Sequence, residues 1–296
     1  MLSDYALACA ENARAHGCHS RAENYVTAVR AFTSTIGDMP LGQVTEKTVM
    51  IFEQKLADRG LCMNTISCYI RCLRAVYNKA VADGRCKDRM PFRHAFTGQE
   101  RTAKRSLTEA ELKKILHLPL PEDSPLALTR DLFAFSFYAL GMPFVDVVHL
   151  RKEQISGNVV VYHRQKTGQM VRVPLSEAAQ EILQHYNNPS AYVFPVLKNE
   201  SRKEYVRALG QYNRHLKRLA KMAGLSVNLT SYCVRHSWAS MAYRSSVSIN
   251  TISQALGHTN TNTTMTYIRE LDDEYMRLEN EKIIHRLNGL PSSEHA

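Results

Sequence analysis

A guanidinium, an imidazole, a phenol and an ammonium group recur in this chain in surroundings that suggest joint chemistry. Arg235 and His236 stand in Val-Arg235-His236-Ser-Trp-Ala, near the start of an amphipathic stretch over residues 230–245. His258 follows Gly257 in Leu-Gly257-His258-Thr, and Tyr267 comes nine residues later in Thr-Met-Thr-Tyr267. Lys166 opens a Lys166-Thr-Gly168 turn. Cationic donors gathered beside a side-chain nucleophile are what phosphoryl transfer requires when no divalent metal takes part. The common alternatives are missing: there is no Walker loop, no GxGxxG after a strand, no HExxH and no GxSxG. None of the 12 histidines has ligand spacing to nearby Cys or acidic residues, and clusters of carboxylates for a two-metal site are lacking. No metal and no cofactor are expected.

Taken singly, each residue has a structural reading. Lys166 suits a solvated turn, His258 a helix C-terminus, Tyr267 an aromatic core position and Arg235 an interhelical bridge. The order and spacing of the set argue for function.

The elements that must position these groups are mostly helical. Over residues 1–97, apolar positions recur at helical spacing in Tyr25, Ala28, Val29 and Phe32, in Val49, Phe52 and Leu56, and in Ile66, Ile70, Leu73 and Tyr77. Gly37, Gly60 and Gly84 read as helix stops, and Thr45 and Asn64 as N-caps, giving a bundle of about four helices. Residues 98–105 read as a basic linker ending in Arg101-Thr-Ala-Lys104-Arg105. Thr108-Glu-Ala-Glu111 is a capping box opening a second domain over 106–270, with an apolar helix over about 126–140. Val159–His163 and Met170–Pro174 flank the Lys-Thr-Gly turn as a hairpin, the one β signal. Helical segments follow to residue 287, and residues 271–296 form an acidic, amphipathic tail. The expected class is mainly α, a helical bundle plus a mostly helical domain with a small antiparallel sheet.

The two motifs around Arg235, His258 and Tyr267, with the Lys166 turn, resemble the catalytic end of the tyrosine recombinase (phage integrase) family. The first hundred residues are similar to that family's SAM-like core-binding domain in length and helicity. The resemblance implies that double-stranded DNA is cut and rejoined through a covalent 3′-phosphotyrosyl intermediate, in integration, excision or inversion. Tyr267 would be the nucleophile, Arg235 and His258 would donate to the non-bridging oxygens, and Lys166 would protonate the leaving 5′ oxygen. It also implies a tetrameric synapse in which a C-terminal helix docks on a neighbouring copy, a role the acidic tail over 271–296 could fill, as it could equally fold back on its own basic domain.

Two positions depart from the family pattern. Pro143, in Gly141-Met-Pro143-Phe-Val-Asp146, stands where the family's first catalytic arginine is expected, and Tyr232 stands three residues before Arg235 in place of a histidine. This places the chain in an integrase- or invertase-like branch lacking the first arginine. Arg130, Arg151 and His149 are candidates for the missing charge, and Tyr232 and His236 for auxiliary roles. The alternatives are a catalytically impaired relative that binds DNA as an architectural or regulatory protein, and a topoisomerase-like nicking enzyme.

The charge pattern agrees with an anionic partner. The formal net charge of +10 divides into +3 over residues 1–100, +3 over 101–105, +8 over 106–269 and −4 over the last 27 residues. DNA contacts are expected from Asn64, Arg71 and Arg74, from Arg101, Lys104 and Arg105, and from Arg207, Arg214, Lys217 and Arg218. No apolar run is long enough for a bilayer, the start is no signal peptide, and seven cysteines without a CxxC pair suggest reduced thiols in a cytoplasmic protein. The resemblance carries no arm-site-binding module ahead of the bundle in this sequence, and the expectation is a simple resolvase, invertase or transposon-type enzyme.

Overall fold

The computed structural model describes residues 1–100, 106–268 and 273–287. The chain divides into two compact units, Met1–Thr102 and Ala103–Ala296.

The first unit holds four helices: α1 (Leu2–Ala15), α2 (His19–Ile36), α3 (Glu46–Asp58) and α4 (Met63–Ala82). Their apolar stripes meet in one core, in which Phe32 and Phe52 pack edge to face with ring centres 5.1 Å apart. Thr45 caps α3, its hydroxyl accepting from the Thr48 N–H at 3.3 Å. Asn64 is not the cap of α4. Cys62 is, and the Asn64 amide instead pairs with the backbone of Glu100 in both directions, at 2.9 and 2.8 Å. Ser67, fully buried, donates to the Gly98 carbonyl at 2.6 Å. Upstream, Phe92 is buried against Tyr77, with ring centres 5.8 Å apart. Residues 92–100 are therefore strapped onto the bundle, where the sequence suggested that a linker begins at residue 98.

The second unit opens with α5 (Glu109–Leu116), started by the expected Thr108–Glu111 capping box. The central helix α6 (Pro125–Tyr138) is apolar on nearly all sides and packs against several later helices. A tight turn through Ala139 to Met142 leads to the short α7 (Phe144–Val148), with Pro143 as its N-cap. The sheet has three antiparallel strands in order: β1 (Ile155–Ser156), β2 (Val159–His163) and β3 (Met170–Pro174). The sequence reading gave only β2 and β3; β1 is two residues long, joined to β2 through Gly157-Asn158, a pair suited to a tight hairpin. Val160 and Tyr162 face the core opposite Val173 and Val171.

Then follow α8 (Glu177–His185), α9 (Arg202–Met222), α10 (Cys233–Arg244), α11 (Ile249–Ala255), α12 (Thr261–Met265) and α13 (Asp273–Leu287). A large core joins α5 to α10 and the sheet, and a smaller cluster gathers Ala239, Ile252, Leu256 and Ile268 beside Trp238 and Tyr267. All seven cysteines are free. Among the described residues no helix is long and apolar enough to cross a membrane.

Candidate active site

The site forms where the turn after α6, the β2–β3 hairpin, the start of α10 and the end of α11 converge. Arg235 lies in the first turn of α10 and is 2% exposed. Its guanidinium donates to the carbonyls of Gly141 (2.9 Å) and Leu256 (2.5 Å), at the ends of α6 and α11. Exposed main-chain carbonyls at helix C-termini carry partial negative charge and suit a cation. Gly141, at φ +71°, permits the approach, since a Cβ there would sit 3.3 Å from the Arg235 Cα.

A second guanidinium lies in the same interior. Arg164 is 7% exposed and donates to the Gly257 carbonyl at 3.1 Å. A Cβ at Gly257 (φ +61°) would meet the Arg164 side chain and Val171 at 2.7 Å, so the glycine of Leu-Gly-His is the residue that makes room for Arg164. The Nε atoms of both Arg164 and Arg235 are buried without a hydrogen-bond partner. The neighbouring carboxylate is Asp146 of α7, 3% exposed, with its Oδ2 3.8 Å from Arg164 Nε. Its Oδ1 accepts the Gln165 N–H at 2.9 Å and so ties α7 to the hairpin beside Lys166. Burial pushes the Asp146 carboxyl up despite the cations around it, and burial together with the charge of Arg164 pulls Arg235 down.

Arg164 was not expected from the sequence. The signal was present: the alternation of Val160 and Tyr162 along β2 continues one residue past its end to Arg164, which puts a cation at the next inward position. Lys166 lies exposed at the hairpin tip, where Gly168 (φ +68°) donates back to the Arg164 carbonyl at 2.8 Å.

His258 accepts from Arg235 at its Nε2, 3.1 Å away. That leaves Nδ1 to carry the proton and donate to Thr264 Oγ1 at 2.9 Å. Burial, reinforced by the charges of Arg235, Arg164 and Lys166, holds the imidazole down to about 4, so it is neutral at pH 7. As it stands, His258 positions Arg235 and has no N–H turned to a ligand.

Tyr267 follows α12 and is anchored by the buried Ile268 beside it. Its carbonyl accepts from His236 Nδ1 (3.2 Å) and Ser240 (3.3 Å), and its ring stacks on His236 with centres 4.6 Å apart. The Arg235 guanidinium lies 5.4 Å from the ring centre. The hydroxyl meets that of Tyr232 at 3.4 Å. Burial, then the hydrogen bond with Tyr232, holds the Tyr267 phenol above its ordinary value, against the pull of Arg235 and Lys166. The structure thus brings Arg235, His258, Tyr267, Tyr232 and His236 into one cluster, with Lys166 in electrostatic reach.

Residues 105–274 match the Phage integrase family, and residues 1–96 match its SAM-like domain. The chain belongs to the phage integrase family. It is 26% identical to a tyrosine recombinase of Thermosipho africanus over 285 residues, covering 93% of this chain and 95% of that one. It is 25% identical to tyrosine recombinase XerA of Pyrococcus furiosus over 230 residues, 76% of each. In fold it is similar to the Tn1549 transposon integrase bound to transposon right-end DNA (TM-score 0.70, 16% identity, covering 96% of this chain and 99% of that chain). It is also similar to lambda integrase, solved as a tetramer on a Holliday junction (TM-score 0.67, 19% identity, 85% and 73% covered).

Within this integrase-family chain the three candidates for the missing charge have partners of their own, and His149 also lies within electrostatic reach of Asp146. Arg130 pairs with Asp131 (2.9 Å) and the Leu118 carbonyl (3.0 Å). Arg151 pairs with Glu200 and lies over the Tyr192 ring, and His149 bonds the Val145 carbonyl at the end of α7. A buried cation within electrostatic reach of Arg235 is Arg164.

Of the residues expected to contact DNA, Arg71 and Arg74 are exposed on α4, and Asn64 is half-buried and bonded to the strap. Arg214, Lys217 and Arg218 are exposed on α9, whereas Arg207 is tied to Glu204 (2.7 Å) and Gln211 (3.0 Å) along its own helix. Arg101, Lys104 and Arg105 lie outside the described residues, as do residues 288–296 of the tail and the side chains of Tyr275, Leu278 and Ile283.

Proposed function

We propose that this protein is a site-specific DNA recombinase that cuts and rejoins double-stranded DNA through a 3′-phosphotyrosyl bond to Tyr267. One observation carries the reading: two buried guanidiniums, Arg164 and Arg235, lie within electrostatic reach of each other and of Asp146, and Arg235 lies against the ring of the candidate nucleophile. Like charges repel strongly in a low-dielectric interior, so such a pair favours an anion between them. A scissile phosphate supplies that charge, and its non-bridging oxygens accept from the guanidiniums as negative charge builds on them.

On this reading Arg164 takes the place of the arginine absent at Pro143, and the chain belongs to a branch whose phosphate clamp draws its second arginine from the hairpin. Tyr267 attacks phosphorus, and Lys166 at the hairpin tip gives a proton to the departing 5′ oxygen. The phosphodiester energy is conserved in the phosphotyrosyl bond, so resealing requires no nucleotide. Arg235, Arg164 and Lys166 supply the positive charge, and the reading assigns no step to a metal. The relatives in their DNA complexes support a DNA partner, and the lambda integrase tetramer supports a synapse of four copies. The reading places the reaction in the cytoplasm.

A nicked suicide duplex, built from inverted repeats flanking the gene, tests this. The expected result is a covalent protein–DNA adduct, unchanged in EDTA and lost in Tyr267→Phe. Absence of an adduct from the wild type, with DNA binding intact, would favour the architectural alternative.

A further inference from the structure

The nucleophile has a supply problem that the clamp does not solve: its proton must go somewhere. A phenol ordinarily titrates near 10, and burial holds Tyr267 higher still. Neither nearby imidazole has a nitrogen hydrogen-bonded to its hydroxyl. His258 uses Nε2 on Arg235 and Nδ1 on Thr264. His236 lies against the ring face of Tyr267, with Nδ1 on the main-chain carbonyl. The hydroxyl's one hydrogen-bonding neighbour among the described residues is the Tyr232 hydroxyl, at 3.4 Å. Tyr232 is 46% exposed, at the N-cap of α10, and so connects the buried nucleophile to water.

We propose that Tyr232 is the proton outlet of Tyr267, a positioning and relay residue for the cleavage step proposed above. As the Tyr267 oxygen bonds to phosphorus, its proton passes to the Tyr232 oxygen, and the proton of Tyr232 passes to water. The bond from phosphorus to the 5′ oxygen breaks, and that oxygen takes its proton from Lys166. Tyr232 ends the step as it began. Resealing runs the same path inward and returns the proton to the phenol. The two rings lie 6.1 Å apart at an interplanar angle of 23°, which keeps the hydroxyls side by side. The groups facing the pair are Tyr205 of α9, His236 and Arg235 of α10, His258 after α11, and Lys166 of the hairpin.

The experiment measures adduct formation against pH for the full-length wild type, Tyr232→Phe and Tyr232→His. It uses the suicide duplex with an ordinary 5′ oxygen and again with sulfur at that position, a leaving group that needs no added proton. Tyr232→Phe keeps the ring and removes only the hydroxyl. Its rate should fall by about 10²-fold on both substrates, in keeping with loss of a proton-transfer group. The residual rate should go on rising with hydroxide to higher pH than the wild type. Tyr232→His places an imidazole, with an ordinary pKa of about 6.5, at the outlet. It should recover rate and move the rising limb to lower pH. A packing role alone would leave Tyr232→Phe unchanged in rate and pH profile, and that result overturns the relay. So does a Tyr232→His profile that coincides with Tyr232→Phe. Failure of the wild type to form any Tyr267 adduct overturns the underlying recombinase reading, whereas a normal wild-type adduct with an indifferent Tyr232→Phe overturns the relay alone.

Discussion

The two units differ in what they bury. Among the described residues of the first, the only buried polar side chain is Ser67, and the core is otherwise apolar. The second buries Arg164, Arg235, Asp146 and a set of hydroxyls, close to where Gly141 and Gly257 allow backbone and side chain to crowd. The first unit uses its interior for stability and presents its cations to solvent on α4. The second accepts the desolvation of ions in its interior. Abundance of positive charge therefore locates nothing by itself. The burial of a cation separates an anion-activating group from one that only attracts DNA.

Substitutions at five positions sharpen this contrast, the largest effect first. Arg164→Ala should lower the rate of adduct formation by ~10²–10³-fold, the cost of removing a transition-state donor, with DNA affinity changed much less. Single-turnover cleavage alongside a binding isotherm measures both. Arg164→Lys should recover only part, since an ammonium lacks the planar fork. An Arg164→Ala rate equal to wild type would break the assignment of the clamp.

Gly257→Ala should destabilise the catalytic unit by about 2–3 kcal/mol, combining a left-handed backbone with a clash against Arg164. A lowering of Tm by roughly 5–10 °C in a thermal melt is the expected readout. Activity should fall with it, because the methyl displaces the guanidinium.

The smallest effects belong to the first unit and separate two faces of one helix. Asn64→Ala should cost about 1 kcal/mol through the lost strap bonds and leave the salt dependence of DNA binding alone. Arg71→Ala and Arg74→Ala should each reduce the salt slope by about 1 with little change in Tm. A matching response from all three would mean that the strap and the DNA face are not distinct.

The legible and illegible parts of the sequence divide along the same line. Helix stripes, the Thr108 capping box and the β2–β3 hairpin are local signals, and each was readable because period and capping act within a few residues. The cluster of Arg235, His258 and Tyr267 was readable through its motif. Asn64 and Ser67 were not, because polar residues at one-turn spacing look the same facing solvent as facing a strap whose partners, Glu100 and Gly98, lie 36 and 31 residues away. Arg164 is not legible from the strand alone, because it stands one residue past the strand end at His163, where alternation no longer fixes an inward position. A cation in phase with Val160 and Tyr162 conflicts with a hydrophobic face, and such a conflict marks functional sites.

The crowding of Arg164 against Arg235 also bears on the protein at rest. Asp146 is one carboxylate within reach of two buried guanidiniums, so their mutual repulsion is offset only in part. An anion entering there relieves the repulsion, and whatever binds the folded state alone stabilises it by mass action. Substrate and scaffold are then linked through one free energy. An anion that binds beside Arg164 and Arg235 should therefore raise the Tm of the catalytic unit, and a thermal melt with and without a DNA duplex measures that link.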